Sequence, residues 1–271
     1  MNAGGSEFLR EPLPLFSGSF PRASQMESPI QNDERVRLQA QNTELATLAG
    51  GLAHEIRNPL STIGMNLELL GEELEDDESA RGRRMKKRIT NLQTECRNLE
   101  DILNAFLQFA RAGELDLEVI SLNEMVSEYI SVLEPQANSL GIELRPHLDS
   151  NLPSARMDRA LIRQVLVNLC RNAFEAMPNG GSIDFLTYAR GNNVYLEVID
   201  TGRGMDEKTR SRMFQAFFST RSGGSGLGLP TVRRIVEAHQ GLVSCESELG
   251  KGTRFTIQMP ASADVAATSL K

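Results

Sequence analysis

The chain has 271 residues, room for about two ordinary domains, and is 40% hydrophobic and 24% charged, the balance of a globular protein. Thirty-six acidic residues against 29 Lys+Arg leave a net charge of −7, which argues against nucleic acid or anionic lipid as a partner. No apolar run approaches the roughly 18 residues of a membrane helix, and no signal peptide is visible. Cys96, Cys170 and Cys245 lie far apart without CxxC spacing, against a zinc or disulfide framework, so a reducing cytoplasm is the expected location. Aromatic residues make up only 5% and tryptophan is absent, so the expected core is aliphatic.

Residues 1–32 carry Pro12, Pro14, Pro21 and Pro29 among glycines and serines without apolar periodicity, the composition of a disordered leader. From about Asp33 the pattern turns helical. Leu38, Leu45, Leu48, Leu52, Ile56, Leu60, Ile63, Leu67, Leu70 and Leu74 recur at spacings of three, four or seven. Ile89, Leu92, Cys96, Leu99, Leu103, Phe106 and Ala110 continue the repeat on a second helix, a heptad seam. Glu75 to Glu78 reads as the loop of a hairpin; antiparallel folding would set its acidic end and basic start (Arg81 to Arg88) side by side, and both runs read chiefly as solvated faces worth little energy. Such a hairpin leaves seam uncovered, and two copies packed as a four-helix bundle would bury it, so a homodimer is expected.

After Gly113 the spacing predicts a helix over 122–139, a strand over 142–148 and a helix capped by Asp158 that runs to about Met177. Strands follow over 182–188 and 194–200, then a glycine-punctuated stretch over 202–228 and a helix over 230–239. Two last strands, over 242–247 and 253–259, join around Gly250. The fold class is thus α+β: a helical hairpin over 33–112, a mixed α/β layer over 116–260 and a flexible tail over 261–271.

His54 stands in Gly50-Gly51-Leu52-Ala53-His54-Glu55-Ile56-Arg57-Asn58-Pro59-Leu60. Leu52 and Ile56 belong to the seam, so the spacing turns His54 away from it. An exposed imidazole is largely neutral at pH 7 and can act as a nucleophile. Glu55 is adjacent, and Asn58 lies one turn on. Gly50, Gly51 and Pro59 weaken the helix around His54, the pattern of a hinge. This string resembles the phosphoacceptor box of the sensor histidine kinases of two-component systems. The resemblance implies that His54 accepts the γ-phosphoryl group of ATP, with Glu55 as general base. It also implies that Asn58 positions the water that hydrolyses a regulator's phospho-aspartate.

Three further strings suit a nucleotide. Asn168 and Asn172 are four apart on one helix, and amide oxygens are hard donors suited to Mg²⁺. Asp200 closes a strand before Thr201-Gly202-Arg203-Gly204, where a carboxylate can accept from an adenine amino group and glycine lets the backbone approach the base. Gly223-Gly224-Ser225-Gly226-Leu227-Gly228 precedes a helix opened by Pro230, and such a loop offers free N–H groups to phosphate. These resemble the same family's N, G1 and G2 boxes, with Phe214, Phe217 and Phe218 between the last two. The resemblance implies a Bergerat-type ATP-binding α/β sandwich that takes ATP and Mg²⁺. Asn172 would be nearest the metal. Asn168, Asp200, Gly202, Gly204, Thr220, Arg221, Gly224, Gly226, Leu227 and Gly228 would line the nucleotide. Arg221 stands where many members carry lysine.

His147 and His239 read as structural, the latter as a donor or cation at a helix C-terminus. Cys170 and Cys245 read as small core residues. The expected activity is an ATP-dependent protein histidine kinase that relays phosphate to the aspartate of a response regulator receiver domain. A regulator-docking dimer acting mainly as a phospho-aspartate phosphatase is the alternative. An ATPase of the gyrase, chaperone or mismatch-repair kind is disfavoured by size and by the His54 box. Thirty leading residues are too few for a sensor domain and those after Pro260 too few for a receiver, so a separate sensor protein is expected to supply the input.

Overall fold

A computed structural model describes residues 53, 55–112, 115–221 and 224–262. The 1–32 leader, the hinge glycines Gly50 and Gly51, His54, Gly223 and the tail from 263 onward lie outside the described residues.

The first apolar repeat forms a helix over 55–73, α1, which runs through Pro59 without a break. The second forms α2, Ala80–Arg111, whose N-cap Ser79 accepts the Gly82 N–H at 3.0 Å. The charged runs flanking the turn are largely exposed, in line with solvated faces, and two of the basic side chains bond backbone carbonyls. Lys86 Nζ donates to the Glu75 carbonyl at 2.6 Å, and Arg83 donates to that of Glu78. Cationic heads here satisfy carbonyls left free in the turn instead of carboxylates. The seam sorts into two rows. Leu60, Leu67 and Ile89 are buried, whereas Ile56, Ile63 and Leu70 on α1 and Met85, Leu92 and Leu99 on α2 are exposed. The exposed row repeats every seven residues on both helices.

The α/β layer follows with β1 (Glu118–Ile120), α3 (Leu122–Ser139), β2 (Ile142–Leu148), β3 (Ala155–Met157) and α4 (Arg159–Ala176). Next come β4 (Gly181–Arg190), β5 (Asn193–Asp200), α5 (Glu207–Arg212), α6 (Gly228–Ala238), β6 (Leu242–Glu248) and β7 (Gly252–Pro260). Five strands form one sheet in the order β2-β4-β5-β7-β6. Only β2 and β4 are parallel, and parallel neighbours need a crossover, which α4 supplies. β1 and β3 form a separate antiparallel pair that the alternation rule missed because each is only three residues long. α5, six residues long, was likewise read as loop. α3 passes through Pro135 because its face of Met125, Val126, Tyr129, Ile130, Leu133 and Ala137 is buried against the layer.

The core is aliphatic with two sheet phenylalanines, Phe185 and Phe255, packed under Leu166, Leu169 and Ile235 of the helices. On β5 the inward phase runs Val194, Leu196, Val198, Asp200. Strand alternation therefore turns Asp200 to the same side as the core, at the strand's end.

Asp158 caps α4, its Oδ1 accepting the Leu161 N–H at 3.0 Å, while Oδ2 accepts that of Asp116 at 2.9 Å. His239 is structural and takes the donor form of the two helix-end roles expected from sequence. It is buried, Nδ1 donates to the Ile235 carbonyl at 2.7 Å, and Nε2 accepts the Asp158 N–H at 2.9 Å. An acceptor at Nε2 requires the neutral ring, and burial holds its pKa below the ordinary value. His147 pairs with Asp184 at 3.1 Å across β2 and β4, a structural role. Cys170 is fully buried and Cys245 packs against the core. Ala261 and Ser262, expected from sequence to open the tail, bond to the α/β layer. Ala261 donates to the Asn192 carbonyl at 2.8 Å and Ser262 to that of Ser154 at 2.9 Å. Among the described residues no helix is long and apolar enough to cross a membrane.

Candidate functional site

Helix α4 buries Ile162, Val165, Leu166, Leu169 and Ala173. The 3.6-residue period then places Asn168, Arg171, Asn172 and Glu175 in one row along its edge. That row forms one wall of a cavity of about 760 Å³. Asp200, Arg203 to Asp206, Phe218 to Arg221 and Gly224 to Pro230 make further walls. Asp101, Ile102, Asn104, Ala105 and Gln108 of α2 close another side. The structure thus brings together Asn168, Asn172, Asp200, Gly204, Thr220, Arg221, Gly224, Gly226, Leu227 and Gly228 around one space. Gly202 stands behind it, Gly223 is outside the described residues, and Glu55 and Asn58 are exposed on α1, away from the cavity walls.

Asp200 is 6% exposed, and burial pushes its carboxyl up to about 6, held back by the backbone N–H groups of Gly202 and Thr253. Its Oδ1 accepts the Gly202 N–H at 2.9 Å. At pH 7 the group is mainly a carboxylate, a pure acceptor facing a cavity of nucleotide size. Gly202 permits this turn: a Cβ there would stand 2.7 Å from the Ala176 Cβ.

The glycine string forms a cradle against the segment over 213–221, termed the lid. Gly226 has φ +66°, and a Cβ on it would stand 2.6 Å from the Phe217 carbonyl carbon. Phe217 is itself left-handed at φ 63° and donates its N–H to the Gly226 carbonyl at 3.1 Å. A Cβ on Gly228 would lie 3.1 Å from Asn168 Oδ1 and 3.3 Å from Arg171 Nη2. Behind this cradle α6 starts at Gly228 with no side-chain cap on its N-terminus. Its first N–H groups and the helix dipole favour an anion there.

Arg221 reaches back across the cavity to α4. Its Nη1 donates to Asn172 Oδ1 and its Nη2 to the Asn172 carbonyl, both at 3.4 Å, and it is ion-paired with Glu175. Burial and the neighbouring Arg171 hold its pKa below the ordinary arginine value. The lid phenylalanines divide. Phe214 packs partly against the core, Phe218 lies under the Arg212 guanidinium at 4.2 Å and Phe217 is 66% exposed.

Sequence reading missed Arg171 and Glu175, although the 3–4 spacing from Asn168 and Asn172 carries both. It also missed the α2 wall, which no local pattern reveals. Gln164 donates to Gln108 at 3.0 Å, and Arg234 of α6 sits 5.0 Å from the Phe109 ring. Arg57, within the His54 box, donates to Asn104 of that wall at 2.9 Å.

The donor set fits a magnesium–nucleotide complex. Asp200 suits an adenine amino group, and the glycine cradle, the α6 N-terminus, Arg171 and Arg221 suit phosphates. Asn172 Oδ1 is a single neutral hard donor, so Mg²⁺ fits it when most of its other ligands are phosphate oxygens and water.

Residues 44–115 match the family model "His Kinase A (phospho-acceptor) domain" and residues 157–263 match "Histidine kinase-, DNA gyrase B-, and HSP90-like ATPase". Sporulation kinase A of Bacillus subtilis (strain 168) is 33% identical over 235 residues, 86% of this chain and 38% of that protein. Sensor histidine kinase ZraS of Escherichia coli (strain K12) is 32% identical over 216 residues, 80% of this chain and 45% of that one. The chain therefore spans less than half the length of either relative. Among solved structures, full-length ShkA in complex with AMPPNP superposes with a TM-score of 0.64 at 31% identity, covering 80% of this chain and 46% of that one. Histidine kinase ThkA in complex with response regulator protein TrrA gives 0.60 at 27% identity, covering 88% and 68%.

Proposed function

Because this chain belongs to the sensor histidine kinases of two-component systems, we propose that it phosphorylates His54 from ATP and relays the phosphoryl group to a response regulator aspartate. The observation that carries the reading is the convergence on one cavity of Asp200, the Asn168–Asn172 edge and the uncapped α6 N-terminus.

Asp200 accepts from the adenine amino group. The N–H groups of the glycine cradle and the Arg221 guanidinium hold the phosphates. Asn172, with Asn168 beside it on α4, would hold Mg²⁺, which would supply charge neutralisation on the transferring group. A neutral His54 ring nitrogen attacks the γ-phosphorus as the bond to the β–γ bridging oxygen breaks and ADP leaves. Glu55 takes the proton released from the imidazole. The regulator's carboxylate then displaces the His54 nitrogen from phosphorus.

The protein acts as a homodimer in this reading. Support comes from the exposed heptad stripe of Ile56, Ile63 and Leu70 beside Met85, Leu92 and Leu99. The cytoplasm is its proposed location, in keeping with three free cysteines. A sensor protein is the proposed source of input. The exposed Glu55 and Asn58 on α1 also favour a second activity, hydrolysis of the regulator's phospho-aspartate.

Incubation with γ-labelled ATP tests the kinase reading. Acid-labile, base-stable label that is lost in His54→Gln is expected, and label that persists in that variant refutes it. A regulator's phospho-aspartate should decay more slowly with Asn58→Ala than with wild type. Equal decay removes the second activity.

A further inference from the structure

Glu175 is a carboxylate on the wall of a cavity otherwise furnished for a polyanion, and the phosphate-binding residues do not account for it. It lies one turn beyond Asn172 on the same edge of α4, where Arg221 of the lid ion-pairs with it while also donating to both Asn172 oxygens. Arg171 Nε is 4.0 Å from its other oxygen. The oxygen that Arg221 engages, Asn172 Oδ1, is the same hard donor that suits a divalent cation.

From this geometry we propose that Glu175 is a positioning residue that holds Arg221 over Asn172 and makes the cavity select metal-complexed over free nucleoside triphosphate. The proposal rests on the ATP-binding reading above and deepens it. Incoming phosphates recruit Arg221, and Glu175 then loses its strongest partner. Beside a free triphosphate the bared carboxylate repels the ligand in a partly desolvated site. Beside the metal complex the phosphate charge would be largely neutralised, so the bared Glu175 carboxylate would not repel it. Arg221 and a bound cation would thus alternate at one Asn172–Glu175 edge.

Calorimetry on the full chain with AMPPNP, in Mg²⁺ and separately in EDTA, tests this by the ratio of the two dissociation constants. Wild type is expected to show a large ratio. Glu175→Gln, which keeps shape and removes charge, should bind the metal-free nucleotide about tenfold more tightly and narrow the ratio accordingly. Glu175→Asp keeps the charge and should keep the wild-type preference. Wild-type protein that binds neither form refutes the ATP reading and this assignment with it. Wild-type protein that binds both forms, with an unchanged ratio in Glu175→Gln, overturns the Glu175 assignment alone.

Discussion

His239 Nε2 accepts the backbone N–H of Asp158 at 2.9 Å, tying the C-terminal end of α6 to the cap of α4. The bond exists only for the neutral ring. Burial depresses the folded-state pKa, whereas the unfolded chain takes up its proton near about 6.5. This contribution to stability is complete above the unfolded value and is lost as pH falls through it, by at most about 1.4 kcal/mol per pH unit. His239→Ala should cost roughly 1–3 kcal/mol at pH 7, because a buried N–H loses its partner. The cost should shrink toward pH 5. Urea unfolding of both proteins across that range checks it.

Asp200 works in the opposite sense. Its carboxyl, raised to about 6, binds a proton more readily folded than unfolded, so its contribution to stability falls as pH rises from about 4 through about 6. At pH 7 the buried charge costs on the order of 3 kcal/mol by that shift. Asp200→Asn should therefore unfold at an equal or higher temperature than wild type. Its adenine nucleotide affinity should drop at least about tenfold, since an amide that accepts the Gly202 N–H turns its donor toward the adenine amino group. In wild type the affinity should weaken as pH falls below about 6, where the acceptor is protonated. Thermal shift measurements with and without AMPPNP read both effects.

The strands and helices around this site were legible wherever a period ran for two turns or more. β5 alternates cleanly enough to place Asp200 inward from sequence alone, and Asp158 announced the start of α4. Short pieces were not legible: three residues in β1 or β3 hold too few positions for a period. At the hairpin turn Lys86 and Arg83 bond the carbonyls of Glu75 and Glu78, partners that a charge pattern alone does not name. The helix-end position of His239 accounts for its bond to the Ile235 carbonyl, whereas its second partner, Asp158, stands 81 residues away in the chain. The α2 wall of the cavity is of the same kind, a tertiary contact written in no local pattern.

The exposed stripe on the hairpin makes a prediction about assembly. Ile63 and Leu92 lie in the seven-residue rows of α1 and α2, and both are about half exposed in a single chain. A glutamate in such a seam would bury an unpaired charge in a dimer and cost several kcal/mol. Ile63→Glu/Leu92→Glu is therefore expected to sediment as a monomer where wild type sediments as a dimer. The α/β layer should keep its near-ultraviolet spectrum, since neither residue belongs to its core.

The junction of α2 with α6 leads to the last expectation. Among the described residues Arg234 Nε and Nη2 are buried without hydrogen-bond partners, and the Phe109 ring lies 5.0 Å from the guanidinium. Beside it, the Gln164–Gln108 bond is an exposed contact of small net worth. Such a junction is held weakly and carries a desolvation penalty, so substitutions on its two sides should act in opposite directions. Phe109→Ala removes the ring, and Arg234 then gains by leaving for water, which opens the junction. Arg234→Leu removes the unpaired donors while keeping apolar contact with the ring, which tightens it. Hydrogen exchange of the Gln108–Ala112 amides should be several-fold faster than wild type in the first variant and slower in the second. Equal exchange in all three proteins would mean that the arginine–ring pair does not hold the junction.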